Sequence, residues 1–401
     1  MTYAEPTGAG ALEGPLAGTR VVDLTRARAG PTCVRQLADL GADVVALQSP
    51  RGGGAFSSLG ADGANLHRNK RAVAVDLTTD DGKAVFFRLI ERADVVVENF
   101  RPGVKYRLGI DPDAVWAVNP RVVYASISGF GQSGPYASRP GVDQIAQGLG
   151  GLMSVTGPPG SGPWRVGIAV SDTAAGTILT QGVLAALIAR GRTGRGQWVH
   201  TSLLEAMVSF MDFQAARWLI DGEVPAQEGN QHPTMVPMGA YATADGHLNV
   251  SALRDFAEFC ALLGTPDLAD DPRYASFGSR VAHRAELDAD LARVFRTRPT
   301  AEWVERLAES VPCGPVLTVD EVFADEQVEH LHLTRSVEHP TRGAIDVLRP
   351  PLTFSDTPAT VRSGPPADGA HTREVLAELG YSPSEIDALH DSGAVGPREH
   401  A

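Results

Sequence analysis

Hydrophobic positions near the start of the chain fall in short Val-rich runs, separated by stretches with helical spacing. Residues 19–24 read as a strand and residues 29–41 as a helix closed by a glycine. Residues 42–47 and 72–77 predict two further strands. Thr79 and Asp80 open a helix whose body covers 84–93, and strands at 94–97 and 122–127 follow. Strands alternating with helices at this spacing predict βαβ units, so the expected fold class is α/β with a parallel sheet covered on both faces.

The middle of the chain is richer in helix. Residues 143–153 predict a helix that runs into a Gly/Pro loop at 157–163. A strand-like piece at 166–170 precedes a long helix over 172–190, which the turn 191–196 ends. A short strand at 197–201 and a single helix over 202–221 come next. The texture changes near Asp221: residues 227–313 hold one strand-like piece, 240–250, and amphipathic helices that include 253–263 and 301–310. That pattern predicts a smaller α+β domain. After Val319 strand and loop return, and a helix at 372–379 follows.

Residues 1–14 are small, polar and punctuated by Gly and Pro, and read as a flexible tail. They lack the basic start and apolar run of a signal peptide. The most apolar long stretch, 177–189, is interrupted by Thr180, Gln181 and Gly182. It is too short to span a bilayer and reads as a buried helix. No membrane partner and a cytoplasmic location are expected.

Composition narrows the function classes. The 401 residues carry 35 Lys and Arg against 48 Asp and Glu, a net charge of −13. A chain this acidic lacks the broad basic surface that general nucleic-acid binding needs. Cys33, Cys260 and Cys313 are widely spaced and make no CxxC pair. They argue for a reducing compartment and against a structural zinc site. His330 and His332 are two apart, which on a helix faces them apart, so no metal is expected.

Gly129-Phe130-Gly131-Gln132-Ser133-Gly134 matches GxGxxG after a predicted strand. A dinucleotide turn must open a helix, whereas Pro135 and Pro140 follow here, so NAD is not expected. Neither a phosphate-binding GxxxxGK[ST] loop nor a GxSxG elbow occurs. Lys70, Arg71, Arg101, Lys105 and Arg107 cluster around the ends of two predicted strands. One reading is a solvated surface with helix-capping charges. The other is a focused positive site for a phosphorylated ligand. Asp172, before the long helix, reads as an ordinary N-cap, or as a carboxylate held ionised at a helix start for use as a nucleophile.

Several stretches, in order, resemble the class III CoA-transferase family, the formyl-CoA and carnitine CoA-transferase (CaiB/BaiF) type. They are Val21-Val22-Asp23-Leu24-Thr25 with Ala29-Gly30-Pro31, Leu37-Ala38-Asp39-Leu40-Gly41-Ala42-Asp43-Val44, and Asn69-Lys70-Arg71 with Asp76-Leu77. Asp94-Val95-Val96-Val97-Glu98-Asn99-Phe100-Arg101-Pro102-Gly103 follows, then Asn119-Pro120-Arg121 and Ser128-Gly129-Phe130-Gly131. Thr193-Gly194-Arg195-Gly196-Gln197 and Cys313-Gly314-Pro315-Val316 complete the set, which spans about residues 15–395.

The resemblance implies a discontinuous Rossmann-like large domain, residues 15–221 and 320–401, with a small domain and its linkers at 222–319. It also implies an interlocked-ring homodimer. The implied activity is CoA transfer from an acyl-CoA to a carboxylic acid, with Asp172 as nucleophile and anhydride and aspartyl-CoA thioester intermediates. CoA, as substrate, would meet Arg28, Ala29, Leu77, Thr78, Asn99, Phe100, Arg101 and Arg107, the arginines serving its phosphates. Asp143 falls where the family has an acidic residue close to the nucleophile.

The chain departs from the family pattern at Arg28, where formyl-type members have Gln, at Thr78, where some have Lys, and at Ser49, where Arg is frequent. The long glycine run of the formyl type is replaced by residues 229–241. These departures turn the expectation away from formyl and oxalate, and Arg28 toward a dicarboxylate such as succinate. The same family contains α-methylacyl-CoA racemases, which use a His–Asp pair. Gly141-Val142-Asp143 puts Val where that His belongs, and Val accepts no proton. His200 or His232 could stand in, and a non-catalytic CoA-binding protein is the third reading.

Overall fold

The computed structural model describes residues 14–50 and 60–396. These residues divide into two compact units. One takes the chain up to Leu152, Arg165–Gly222, and the chain from His332 on; the other takes Met153–Trp164 and Glu223–Leu331.

The first unit opens with β1 (Arg20–Asp23), α1 (Ala29–Asp39), β2 (Asp43–Gln48), α2 (Ala61–His67), β3 (Lys70–Val75) and α3 (Asp80–Ile90). It continues through β4 (Val95–Glu98), α4 (Pro102–Leu108), α5 (Pro112–Val118), β5 (Val123–Ser128) and α6 (Asp143–Leu149). After a short α7 (Leu152–Val155), which belongs to the second unit from Met153 on, the first unit resumes with α8 (Val170–Thr193), β6 (Trp198–Ser202), α9 (Leu203–Phe210) and α10 (Asp212–Asp221). The second unit holds β7 (Met238–Ala242), β8 (His247–Ser251), α11 (Phe256–Leu263), α12 (Asp267–Asp270), α13 (Phe277–Ala282), α14 (Arg284–Phe295), α15 (Thr300–Leu307), β9 (Cys313–Pro315), α16 (Val319–Phe323) and α17 (Glu326–His330). Back in the first unit come β10 (Thr334–His339), β11 (Gly343–Leu348), α18 (Thr372–Glu378), α19 (Pro383–Asp391) and β12 (Val395–Gly396).

Seven strands form the main sheet in the order β12-β3-β2-β1-β4-β5-β6. All neighbours pair in parallel except β12, which runs antiparallel along β3. The alternation of the valines explains both layers. Val21, Val44, Val95, Val97 and Val123 point to the face covered by α1 and α8. Val22, Val45, Val73, Val75 and Val96 point to the face carrying Phe86, Ile90 and the C-terminal Val375 and Leu376. The order reverses between β1 and β4, the switch point where open sheets of this kind take ligands at the carboxyl ends of strands.

α1 and α8 pack through small side chains. A Cβ at Gly176 would sit 2.6 Å from the Ala29 carbonyl oxygen and 2.8 Å from Thr32 Cβ. α8 is 24 residues long, and by length and apolarity it could cross a bilayer. It is longer than the apolar stretch at 177–189 because Val170–Asp172 and the arginines of its last turn extend it. Ala174, Ala175, Leu179 and Val183 are buried against the sheet layer, while Ile188 is exposed.

The second unit has its own core around Phe259, Phe295, Trp303 and Tyr241, with Trp303 Nε1 donating to the Phe295 carbonyl at 2.8 Å. Its three-stranded sheet, β7-β8-β9, is antiparallel.

Several expected elements differ. Residues 166–170 form no strand: the Val166 amide donates to Gln147 Oε1 at 3.0 Å, a side-chain partner in place of a ladder. The helix expected over 202–221 breaks at Met211, and Asp212 takes a left-handed φ of 41°. Residues 240–250 are a hairpin, turned where the Thr243 amide bonds the Gly246 carbonyl at 2.9 Å. After Val319 come α16 and α17, each capped by a side chain, Thr318 in a capping box with Glu321 and Asp325 through two amides.

The basic cluster is also corrected in part. Lys70 is buried on Asp23 at 3.0 Å, and Lys105 on Glu98 at 3.2 Å. Arg71 bridges Asp43, Glu374 and Glu378 at 2.7–3.1 Å. These three cations are taken up by carboxylates within the fold, so they form no focused phosphate site.

Gly176→Val is expected to lower stability by about 1–3 kcal/mol, because overpacking outweighs the few tenths gained by removing a helical glycine. Gly191→Ala, in the same helix with nothing within 4 Å of an added Cβ, is expected to hold or raise it. Urea unfolding of the two variants reads the difference.

Candidate active site

The residues after β1 and β4 are tied together at the switch point. Asp23 Oδ1 accepts from the Thr25 amide and hydroxyl at 2.8 and 2.6 Å, which turns the chain out of the strand. Asn99 then clamps Arg26, accepting from its amide at 2.8 Å and donating to its carbonyl at 2.7 Å. Gly30 is pressed into this corner: its Cβ would lie 2.4 Å from Thr25 Cβ and 3.2 Å from Asn99 Cγ. The result is that α1 starts at the corner with Arg28 in its N-cap position. The Arg28 guanidinium is ion-paired with Asp62 of α2.

A second corner forms where α6 meets α8. Asp143, the first residue of α6, is 8% exposed. Its Oδ1 accepts from the Ser171 amide and hydroxyl, both at 2.9 Å. Its Oδ2 accepts from Gln147 Nε2 at 2.8 Å and from the Arg165 guanidinium at 3.1 Å. Four donors on one carboxylate lock the start of α8 in place.

Asp172 follows Ser171. The N-cap of α8 is Ala169, so Asp172 is a first-turn residue and not the cap. Its position at the helix start favours the anion. Burial and the neighbouring Asp143 carboxylate work the other way and push the Asp172 carboxyl up to about 6. Arg28 opposes that rise and Asp62 adds to it, so two carboxylates and one guanidinium act on Asp172. The Cys33 thiol, on the buried side of α1, is pushed up to about 12 by burial, which leaves it inert.

Of the other candidate residues, Ala29, Asn99 and Phe100 lie at the β1–β4 corner, with Arg26 6.0 Å over the Phe100 ring. Leu77 and Thr78 lie beyond β3, which β2 separates from β1; the Thr78 amide and hydroxyl bond Asp76 Oδ1 at 2.9 and 2.6 Å. Arg101 is the N-cap of α4 and Arg107 is in its last turn, both exposed. Asp62, Arg165, Gln147 and Ser171 are site residues that sequence reasoning did not single out. Gln147 had a signal, since it lies four residues beyond Asp143 on the same helix face. Ser171 adjoins Asp172. Asp62 and Arg165 reach the site from distant segments and had none.

The Gly129–Gly134 segment opens no helix before Asp143. Lys105 Nζ donates to Gln132 Oε1 at 2.6 Å and so ties this loop to α4. No group of three or more metal-ligating side chains occurs among the described residues. A cavity of about 500 Å³ in this unit lies at the opposite, starting ends of the strands, lined by Arg20, Asp43 and Arg92, away from Asp172. In the second unit His232 Nδ1 accepts from the Thr234 and Met235 amides at 3.2 and 3.1 Å.

A sequence profile described as CoA-transferase family III matches residues 16–372. The chain is 38% identical over 387 residues to a succinate–glutarate CoA-transferase of Agrobacterium fabrum, covering 91% of this chain and 96% of that protein. It is 34% identical to a succinyl-CoA:mesaconate CoA-transferase of Haloarcula hispanica, covering 92% and 97%. The crystal structure of a CAIB/BAIF family protein from Brucella suis superposes with a TM-score of 0.83 at 35% identity, over 92% of this chain and all of that one.

Asp172 is expected to ionise with a midpoint near pH 6. Asp143→Asn is expected to move the midpoint down, because it removes the neighbouring negative charge. Carboxyl-carbon NMR titration of both proteins, labelled at aspartate, checks the sign.

Proposed function

The chain belongs to CoA-transferase family III, and from that premise we propose that it moves CoA from an acyl-CoA donor to a carboxylic acid with Asp172 as the nucleophile. The observation that carries this reading is the half-buried Asp172 carboxylate at the start of α8, set beside the four-bonded Asp143. A carboxylate is a usable nucleophile only when it is ionised, partly stripped of water and held in one geometry.

Asp172 attacks the thioester carbonyl of the donor. The C–S bond breaks, CoA thiolate leaves, and a mixed anhydride joins Asp172 to the acyl group. The thiolate then attacks the aspartyl carbonyl, the donor acid leaves as its carboxylate, and an aspartyl-CoA thioester remains. The acceptor carboxylate attacks that carbonyl and expels the thiolate, which finally takes the acceptor's acyl group and frees Asp172. No net proton is transferred, so the cycle needs no general acid. It does need the thiolate kept close, which is the task assigned to Arg28, Ala29, Leu77, Thr78, Asn99, Phe100, Arg101 and Arg107 around the strand ends. Arg101 and Arg107, both exposed, are suited to CoA phosphates.

For the acids, a dicarboxylate is favoured. Relatives carry succinate, glutarate and mesaconate in their names. Arg28 supplies a cation at the start of α1 for a second carboxylate. The racemase reading is disfavoured at Val142, the residue before Asp143, which is apolar and exposed.

An interlocked homodimer completes the reading. α10 has no buried residue, and Trp218, Leu219 and Ile220 are 56%, 78% and 80% exposed. Apolar side chains in such a row are suited to cover by a second chain. Cys33, Cys260 and Cys313 are unpaired, which suits the reducing cytoplasm proposed here.

Intact mass spectrometry after incubation with succinyl-CoA is expected to give a CoA-sized adduct that Asp172→Ala lacks. α-Proton exchange in heavy water without an adduct would support racemisation and remove the transferase reading. Native mass spectrometry is expected to give twice the chain mass of 42.3 kDa, and a single-chain mass removes the dimer.

A further inference from the structure

Arg28 is not an open cation. Its guanidinium already holds Asp62, whose side chain is 58% exposed against 32% for Arg28. Only one Oδ of Asp62 and one terminal nitrogen of Arg28 make the pair, so the rest of the fork remains for another anion. Exposed pairs of this kind hold by a factor of about five or less, which an incoming carboxylate can match.

We infer that Asp62 is a specificity-determining residue: it occupies Arg28 until the distal carboxylate of a dicarboxylic substrate displaces it. A substrate with a neutral tail leaves the Arg28–Asp62 pair intact and gains no charge contact. A substrate with an anionic tail exchanges one carboxylate for another on Arg28, so the guanidinium keeps an anionic partner throughout. The groups that act on Asp172 are Asp143 of α6, Arg28 at the start of α1 and Asp62 of α2, with Arg165 bonded to Asp143. Displacing Asp62 changes which carboxylate sits beside Arg28.

This inference rests on the transferase reading, and its test separates the two. Acceptor kinetics are measured with one saturating donor, succinyl-CoA, against glutarate and against pentanoate, which has the same chain with one carboxylate fewer. Asp62→Asn is expected to lower the KM for glutarate about three- to fivefold, since the competing carboxylate is gone, and to leave the KM for pentanoate within twofold. The acid limb of kcat is expected to move to lower pH, because a carboxylate that raises Asp172 has been removed. Asp62→Glu, which keeps the charge, is expected to return both KM values toward wild type. Arg28→Gln is expected to raise the glutarate KM tenfold or more and to abolish the effect of Asp62→Asn in the double variant. A glutarate KM that rises in Asp62→Asn, or KM values for the two acids that move together, overturns the inference while transfer itself persists. A wild-type protein that transfers CoA to neither acid nor to any other overturns the transferase reading instead.

Discussion

The close crossing of α1 and α8 is the constraint on which the site depends. Gly176 has no side chain because the Ala29 carbonyl and Thr32 occupy that space. A larger residue would push the two helix starts apart, and those starts carry Arg28 and Asp172. The crossing lets a residue near position 28 act electrostatically on one near position 172. Below it, Asp23 and Lys70 hold the turn from which α1 departs. Above it, Asp143 holds Ser171 and so the first turn of α8. Each side chain at the corner is positioned by backbone that something else has already locked, which is what precise placement of a reacting group requires.

Charge is distributed on the same logic. The ion pairs that are fully buried, Arg68–Asp39, Lys70–Asp23 and Lys105–Glu98, are each supported by further hydrogen bonds. Buried pairs contribute little to stability by themselves, yet removing one partner strands the other at a cost of about 3–5 kcal/mol. They therefore specify arrangement. The pair at Arg28 is exposed and exchangeable by contrast. The first unit thus keeps its fixed charges beneath the sheet ends and its adjustable ones at the rim.

Much of this was legible in the sequence, for physical reasons that can be named. The continuous valine runs of residues 19–24, 42–47 and 94–97 announce strands buried on both faces. Arg28, Asp143 and Asp172 stand out at element starts, and the structure brings these three to one corner. What was not legible is long-range. Arg71 looked like a free cation because two of its partners lie about 300 residues away, at Glu374 and Glu378. Asp62 gave no signal because α2 is short and its partner is 34 residues back. The break at Met211 was missed because apolar residues run through it, and a pattern of hydrophobic positions does not mark a backbone that changes direction. The turn at Thr243–Gly246 did carry a signal, the Asp245-Gly246 pair, which a single-strand reading of 240–250 passes over.

The outer edge of β3 has a consequence for how the chain is made. Its backbone donors and acceptors are met by residues near the far end: Ala72 bonds His371 in both directions, the Ala74 amide bonds Thr372 Oγ1, and Val75 pairs with Val395. A ribosome therefore releases β3 some 300 residues before anything that covers it has been synthesised. Throughout that interval the nascent sheet presents an open strand edge of the kind that templates aggregation. Closing it is a contact of very long sequence separation, slow by nature. Synthesis of the last strand is thus the event that seals the sheet, and a chain cut short before it would expose that edge permanently.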